Sequence, residues 1–386
     1  MRTSVIRRKL ARVDRALDKA IEAGETPGAV LLARMPREGQ LLEHAAVRGA
    51  AALRPERVPM ARETLFDLAS LTKVVATTTA TLLLVHDGSL ALDDPVVKHL
   101  PAFGERGKES VTLRHLLTHS SGLKPWRAFH ELLLDRERKT GQRLIGTPAA
   151  RDFVLDRICR SALVHEPGAA AVYGDLDFIV LGAVLETAAR RPLDELCRER
   201  VFAPLGLAHT GFLRPPEGGG APPDTVRRRF AATEACPWRG RVVWGEVHDP
   251  NACAMGGVAG HAGLFGTADD LLRFACILLD VHQGRSDALP RELLRSFLTR
   301  QRLPESSDWA LGWDTPTKGA SSSGQYFSDH SVGHLGFTGT SLWIDLEREA
   351  VVVLLTNRIH PIAKRSQFKL RPLLHDLVME AFLADA

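Results

Sequence analysis

Three serines stand three residues ahead of a lysine: Ser70-Leu71-Thr72-Lys73, Ser121-Gly122-Leu123-Lys124 and Ser366-Gln367-Phe368-Lys369. A serine hydroxyl is a poor nucleophile until a neighbour takes its proton. A lysine amine can take it once its pKa falls well below about 10.4. The pair needs an α-helix, in which i and i+3 share a face with Cβ atoms about 5–6 Å apart. The Ser121 match contains Gly122 and runs into Pro125, which reads as a turn, and the Ser366 match precedes Pro372. Only Ser70 opens a long apolar stretch, Val74-Val75-Ala76-Thr77 through Leu82-Leu83-Leu84-Val85. That pattern predicts a buried Lys73 near a helix start, where desolvation and the positive dipole end both disfavour an ammonium. Lowering its pKa by ~3 units amounts to ~4 kcal/mol. The Ser70 amide at the same helix end is expected to form half of an oxyanion hole. The plainer reading of this motif alone is a capping serine and a snorkelling lysine.

Two further motifs carry chemistry. Tyr173-Gly174-Asp175 follows Glu166-Pro167-Gly168 and precedes a helical pattern; Tyr173 is one of only two tyrosines. A phenolate of lowered pKa beside a lysine is a possible general base. Gly333-His334-Leu335-Gly336-Phe337-Thr338-Gly339-Thr340 leads into a strand, and its glycines let backbone approach a ligand closely. Read alone, the first is a hydrogen-bonded core tyrosine and the second a glycine-rich turn.

Hydrophobic periodicity supplies the elements that must bring these segments together. Ile6, Leu10, Val13, Leu17 and Ile21 recur at helical spacing within 1–24. Residues 28–33 and 41–49 read as strands around a turn at 36–39, and 340–345 and 350–356 as a second hairpin around 346–349. A helix over 372–383 closes the chain. The middle is helical by pattern at 71–86, 113–117, 147–160, 177–189, 193–201 and 268–279. The expected fold is α/β of the α+β type: an antiparallel sheet from both chain ends, flanked by terminal helices, with a large helical insertion. The expected domains are 1–69 plus 301–386 for the sheet part and 70–300 for the helical part, with the site at their interface. Residues 124–145 read as a loop over the site, and Trp126, Arg127 and Tyr326 are substrate-contact candidates by composition alone.

Composition narrows the function. The chain has 386 residues, 25% charged and 45% hydrophobic, with a formal net charge of +4. That balance argues for neither a nucleic-acid nor a membrane partner. The longest apolar runs fall short of the ~18 residues of a membrane span. Five cysteines without a Cys-x-x-Cys spacing fit reduced thiols. With no secretion-type apolar core in the first 24 residues, a cytoplasmic location is expected. His115 and His119 stand at i and i+4 but lack the Glu of a zinc helix, so packing is expected of them. The reading requires no metal and no cofactor.

Taken together, Ser70-x-x-Lys73, Tyr173-x-Asp175 and His334-x-Gly336 resemble the three ordered motifs of the penicillin-recognising serine hydrolases, a set that includes the Ser-x-x-Lys enzymes. The tyrosine form of the second motif is similar to the branch of class C β-lactamases, DD-peptidases and β-lactamase-like esterases. Residues 111–123, 201–207 and 260–271 look like further signatures of that branch. The resemblance implies a β-lactamase/transpeptidase-like fold. It also implies acylation of Ser70, with proton transfer by Lys73 and Tyr173; which of these is the primary base stays open. The amides of Ser70 and Phe337 would form the oxyanion hole, and Asp175, His334, Gly336 and Phe337 would contact substrate.

Two departures from the pattern bear on specificity. Asp175 stands where Asn is commoner, which adds a negative charge and disfavours an anionic substrate group. His334 stands where β-lactamases carry Lys, replacing a permanent cation by one titrating near pH 6.5. The expectation is a serine hydrolase of small esters or amides, of esterase or muropeptide-amidase type. The stretches 249–266 and 355–361 look closest to a subgroup containing muropeptide amidases. A β-lactamase or DD-carboxypeptidase is the alternative within the enzymes, and a non-catalytic binding or assembly module on the same fold the alternative outside them.

Overall fold

The computed structural model describes residues 2–216, 220–319, 321–363 and 368–384. Its main sheet has six strands: β1 (Gly28–Arg37), β2 (Gln40–Ala52), β3 (Val58–Pro59), β4 (Ser331–Leu335), β5 (Ser341–Asp345) and β6 (Ala350–Thr356). They run in the order β3-β2-β1-β6-β5-β4, every neighbour antiparallel. Both ends of the chain therefore meet at the β1–β6 pair, where Ala29 faces Thr356 and Arg34 faces Val351. The first hairpin turns on Glu38 and Gly39, both at positive φ, so Pro36 lies within β1 and the turn is shorter than the pattern suggested. Two consecutive positive-φ residues match the right-handed twist of the flanking strands.

Helices α1 (Arg2–Glu22), α2 (Thr79–His86), α3 (Leu176–Ala189), α4 (Ala268–Gln283) and α5 (Leu370–Phe382) pack around the sheet and within the helical part. The sheet is covered on both faces, which is why β6 reads Ala-Val-Val-Val-Leu-Leu-Thr without alternation. Its Val352 and Leu354 join Leu31, Trp343 and the apolar stripes of α1 and α5. Val351, Val353 and Leu355 join Val30, Leu32 and the α4 residues Leu271, Phe274 and Leu278 on the opposite face. These six β6 and α4 side chains are essentially unexposed. Burial of each stabilises by about 1.5–3 kcal/mol against an exposed reference.

The helical middle forms as the periodicity indicates, with Thr147 capping the helix Pro148–Cys159 through a bond to the Ala150 amide. Several elements were not foreseen, among them the edge strand β4 and the helices Pro250–Ala254 and Arg291–Phe297. Residues 124–145 are not a plain loop, because Phe129–Thr140 is a helix. It is tied down where the Asn251 side chain accepts the His130 amide and donates to the Arg127 carbonyl. No helix among the described residues is long and apolar enough to cross a membrane.

Candidate active site

The chain reaches Ser70 along a constrained path. Ala69 has φ 48°, left-handed for a residue with a Cβ, a conformation that costs roughly 1–2 kcal/mol. Asp67 Oδ1 holds it by accepting the Ala69 amide at 2.8 Å, and the Thr72 hydroxyl donates to the Ala69 carbonyl at 2.6 Å. Ser70 emerges partly buried in a cleft of about 890 Å³. The next turns, Lys73–Thr78, are wound as a π-helix before α2 begins. The Thr79 hydroxyl donates to the Val74 carbonyl, five residues back, at 2.9 Å. Such segments are rare and concentrate at functional sites.

Lys73 is wholly buried. Its Nζ donates to Ser70 Oγ at 2.9 Å, to Asp175 Oδ1 at 2.7 Å and to the His261 carbonyl at 3.2 Å. One helical turn away, the Thr77 hydroxyl donates to the Gly260 carbonyl at 2.6 Å, so the 260–261 strap is clamped at two points. The Tyr173 side chain completes the group: Lys73 Nζ lies 5.1 Å from its ring centroid, and the Ser70 and Lys73 side chains are near enough to pull its phenol pKa down. Tyr173 is 42% exposed along the cleft wall, its ring stacked on Trp309 with centroids 5.6 Å apart. The Tyr173-Gly174-Asp175 turn is held by the Val172 amide on the His119 carbonyl (2.8 Å) and the Asp175 amide on the Pro125 carbonyl (2.7 Å). A Cβ at Gly174 would stand 2.6 Å from Pro125 Cα, so only glycine fits.

The third motif closes the site from the sheet edge. His334 and Leu335 end β4, and Gly336 packs against Leu68 and Ala69, just ahead of the nucleophile. A Cβ at Gly336 would lie 2.6 Å from the Leu68 carbonyl oxygen and 2.0 Å from Thr340 Oγ1. The hydroxyls of Thr338 and Thr340 bond the Asp67 and Leu68 carbonyls at 2.8 and 3.2 Å, seaming the two segments. The Gly336 amide is engaged by Thr340, whereas the Ser70 and Phe337 amides meet no acceptor among the described residues. The Phe337 side chain is 59% exposed and stacks on His248.

The electrostatics differ from the sequence-based expectation in four respects. Burial pulls the Lys73 pKa down, but the Asp175 carboxylate and Tyr173 outweigh it, so the amine is held firmly as an ammonium. Burial also pushes the Tyr173 phenol up, more than the Lys73 charge pulls it down. His334 does not titrate near 6.5: burial and the Lys73 charge hold it neutral well below that. Its Nδ1 donates to the Leu335 carbonyl at 2.9 Å, leaving Nε2 as a buried acceptor without a partner among the described residues. The charge on Asp175 is spent on Lys73 rather than standing alone against substrate.

Several site residues had no role in the sequence reading. His261 Nε2 bonds Asp249 Oδ1 at 2.9 Å, and the same oxygen caps the helix Pro250–Ala254 through the Ala252 amide at 2.7 Å. This pair positions the carbonyl that Lys73 touches. Asp175, Asp249 and His261 bring possible ligand atoms within 4.8 Å of one another, and the Lys73 ammonium supplies the cation beside them. Below Tyr173, Asp177 accepts the Ser121 hydroxyl and lies 3.2 Å from His119 Nδ1. Burial raises the Asp177 pKa to about 8 and lowers that of His119 to about 3, so at neutral pH a carboxylic acid faces a neutral imidazole. The signature stretch 111–123 could have flagged Ser121 and His119, but only the fold reveals Asp177 as their partner.

The other candidates separate cleanly. His115 forms a capping box with Thr112, while His119 packs on Tyr173, Phe178 and Trp309. Ser121 is buried and Lys124 exposed, so that pair does not meet. Ser366 lies outside the described residues. Trp126 lines the cleft; Arg127 and Tyr326 do not. Asn357 and His360 are structural: Asn357 bonds the Gly28 amide and Ala51 carbonyl, and His360 the Leu53 amide and Thr233 carbonyl.

Comparison with known proteins agrees with this architecture. The Beta-lactamase family matches residues 13–371. An N-acetylmuramyl-L-alanine amidase from Bacillus subtilis (strain 168) is 31% identical over 383 residues, covering 92% of this chain and 82% of that protein. A putative D-alanyl-D-alanine carboxypeptidase from Escherichia coli (strain K12) is 32% identical over 332 residues, covering 78% and 70%. EstCE1, a hydrolase with promiscuous acyltransferase activity, shares the fold at TM-score 0.73 and 23% identity, over 97% of this chain and 99% of that one. A match of that extent, on a cleft built around a serine, identifies the chain as a member of the Beta-lactamase family and a serine hydrolase.

Proposed function

We propose that the chain hydrolyses an amide bond of a muropeptide-type substrate through an acyl-enzyme on Ser70, with small esters as accessible surrogates. The observation that carries this is the hydrogen-bonded Ser70–Lys73 pair with the Tyr173 ring beside it, in an aromatic-walled cleft. Ser70 Oγ attacks the carbonyl carbon while its proton passes into the Lys73–Tyr173 set, and the Ser70 and Phe337 amides take up the negative charge on oxygen. Collapse breaks the C–N bond, and the set returns the proton to the leaving amine. Water then adds to the ester, its proton follows the same route, and Ser70 is released.

Because Lys73 rests as an ammonium, Asp175 is the nearest store for its proton. Passing that proton across the 2.7 Å contact frees the amine to accept from Ser70, so the base is a coupled group rather than one residue. We assign Asp175 this role in place of direct substrate contact. His334 Nε2, Gly336 and Phe337 form the substrate-facing edge, where an acceptor nitrogen suits an N–H or O–H of substrate and not a carboxylate. That feature favours an amide of a muropeptide over a β-lactam.

The amide reading is supported by the Bacillus amidase, whose similarity spans 92% of the chain. The two parts, 1–69 with 301–386 and 70–300, are proposed to meet at this cleft. Five free cysteines support action on soluble fragments in the reducing cytoplasm. The test is incubation with N-acetylmuramyl-peptide, a nitrophenyl ester and a chromogenic cephalosporin. Release of free peptide by wild type and not by Ser70→Ala is expected. Turnover of the cephalosporin alone would overturn the amidase reading.

A further inference from the structure

A second cavity, of about 700 Å³, lies apart from the residues of the catalytic cleft. Its lining holds five arginines, Arg143, Arg151, Arg190, Arg191 and Arg214, against one carboxylate, Glu186. Glu186 is already engaged by Arg151 and by the Leu193 amide. Arg191 pairs with Glu199, and Arg214 makes a two-point bond to Asp194 at 2.7 and 2.8 Å. Arg143 and Arg190 have no carboxylate partner among the described residues. Two guanidiniums are thus left over in a concave site already crowded with like charge, which is the arrangement that recruits an anion.

Two independent features point the same way. The helix Pro148–Cys159 begins at this cavity, and its first turn carries no acidic residue to satisfy the positive dipole end. Arg190 ends α3 in the left-handed conformation, φ 52°, a position where glycine is the usual occupant. The backbone cost is accepted for a side chain that makes no ion pair. Pro148, Pro192, Met255 and Val258 add an apolar surface. The size falls within the range of small-molecule pockets.

We propose that this cavity binds a phosphate-bearing small molecule, its phosphate groups held by Arg143 and Arg190 beside the helix start and its apolar or planar part against the prolines and Met255. The site sits on two elements that also frame the catalytic lysine. The far end of α3 leads back to Asp175, and the segment through Val258 leads to His261.

The experiment is a calorimetric titration of the full chain with pyrophosphate, ADP and adenosine, repeated on the double variant Arg143→Gln, Arg190→Gly. Pyrophosphate and ADP are expected to bind and to weaken with salt, while adenosine does not bind. The double variant should lose at least about tenfold in affinity for both anions. Glycine suits the conformation at 190, so its Tm should hold or rise and its ester hydrolysis stay unchanged. No heat with either anion, equal binding of adenosine and ADP, or unaltered affinity in the folded variant would each overturn the proposal. The last result would place the anion elsewhere, such as the catalytic cleft.

Discussion

Asp175 Oδ1 stands 2.7 Å from Lys73 Nζ, nearer than Ser70 Oγ at 2.9 Å, so the lysine that should activate the serine is first of all the partner of a carboxylate. The two residues are 102 positions apart and meet because the turn before α3 is pinned to Pro125. This contact reverses the effect of burial on the amine. A lysine buried alone would approach neutrality, whereas this one is held charged.

The first prediction concerns that contact. Asparagine at 175 keeps an acceptor for Nζ but removes the negative charge, so the Lys73 pKa falls. Activity requires the amine, and the rising limb of the kcat/KM profile should therefore move to lower pH in Asp175→Asn. Stability moves in the opposite sense. The folded pKa of Lys73 lies above its unfolded value of 10.5, so the pair stabilises fully below pH 10.5 and progressively less as pH rises through the folded pKa. The variant should lose up to about 3–5 kcal/mol at pH 7, the range for breaking a buried pair. A pH–rate limb that does not move would contradict the role given to Asp175.

His334 provides the second. Burial and the nearby Lys73 keep the ring neutral, with its proton on Nδ1 facing the Leu335 carbonyl. Nitrogen-detected NMR of selectively labelled protein should show one neutral Nδ1–H tautomer from pH 5.5 to 8. A titration centred near 6.5 would contradict it and restore the cationic reading of this position.

Asp177 supplies a stability test away from the reacting atoms. Its folded pKa of about 8 lies above the ordinary 3.8. Its contribution to stability is therefore complete below about pH 4 and is lost as pH rises through about 8. Asp177→Asn, which mimics the neutral acid, should remove this slope. Relative to wild type it should gain on the order of a few kcal/mol between pH 5 and 9, at ~1.36 kcal/mol per unit. Thermal unfolding at pH 5, 7 and 9 checks this; parallel curves for the two proteins would count against it.

Gly336 tests the seam between β4 and the nucleophile turn. A methyl group there meets the Leu68 carbonyl and Thr340 Oγ1 inside contact distance. Gly336→Ala should cost about 1–3 kcal/mol in stability. Displacing the Phe337 amide should lower kcat by about 10²-fold, with a smaller change in KM. A kcat within twofold of wild type would mean the seam does not position the amide.

Much of this was legible because it is local. The Ser70 and Lys73 spacing, followed by an apolar run, carries its own helix. The β1–β2 and β5–β6 hairpins carry their own turns. What escaped is non-local or masked by charge. The ionisation of Lys73 depends on Asp175, and the His261 carbonyl on Asp249, pairs made only by the fold. The helix Phe129–Thr140 buries only Phe129, His130 and Leu133, too thin a stripe to register among Glu131, Asp135, Arg136, Arg138 and Lys139.

The most direct test of the central claim is intact-mass and peptide mass spectrometry after treatment with a fluorophosphonate. The account predicts a single adduct on Ser70 in wild type, strongly slowed in Lys73→Ala and in Tyr173→Phe and absent in Ser70→Ala. An adduct on another residue, or equal labelling of wild type and Lys73→Ala, would contradict it.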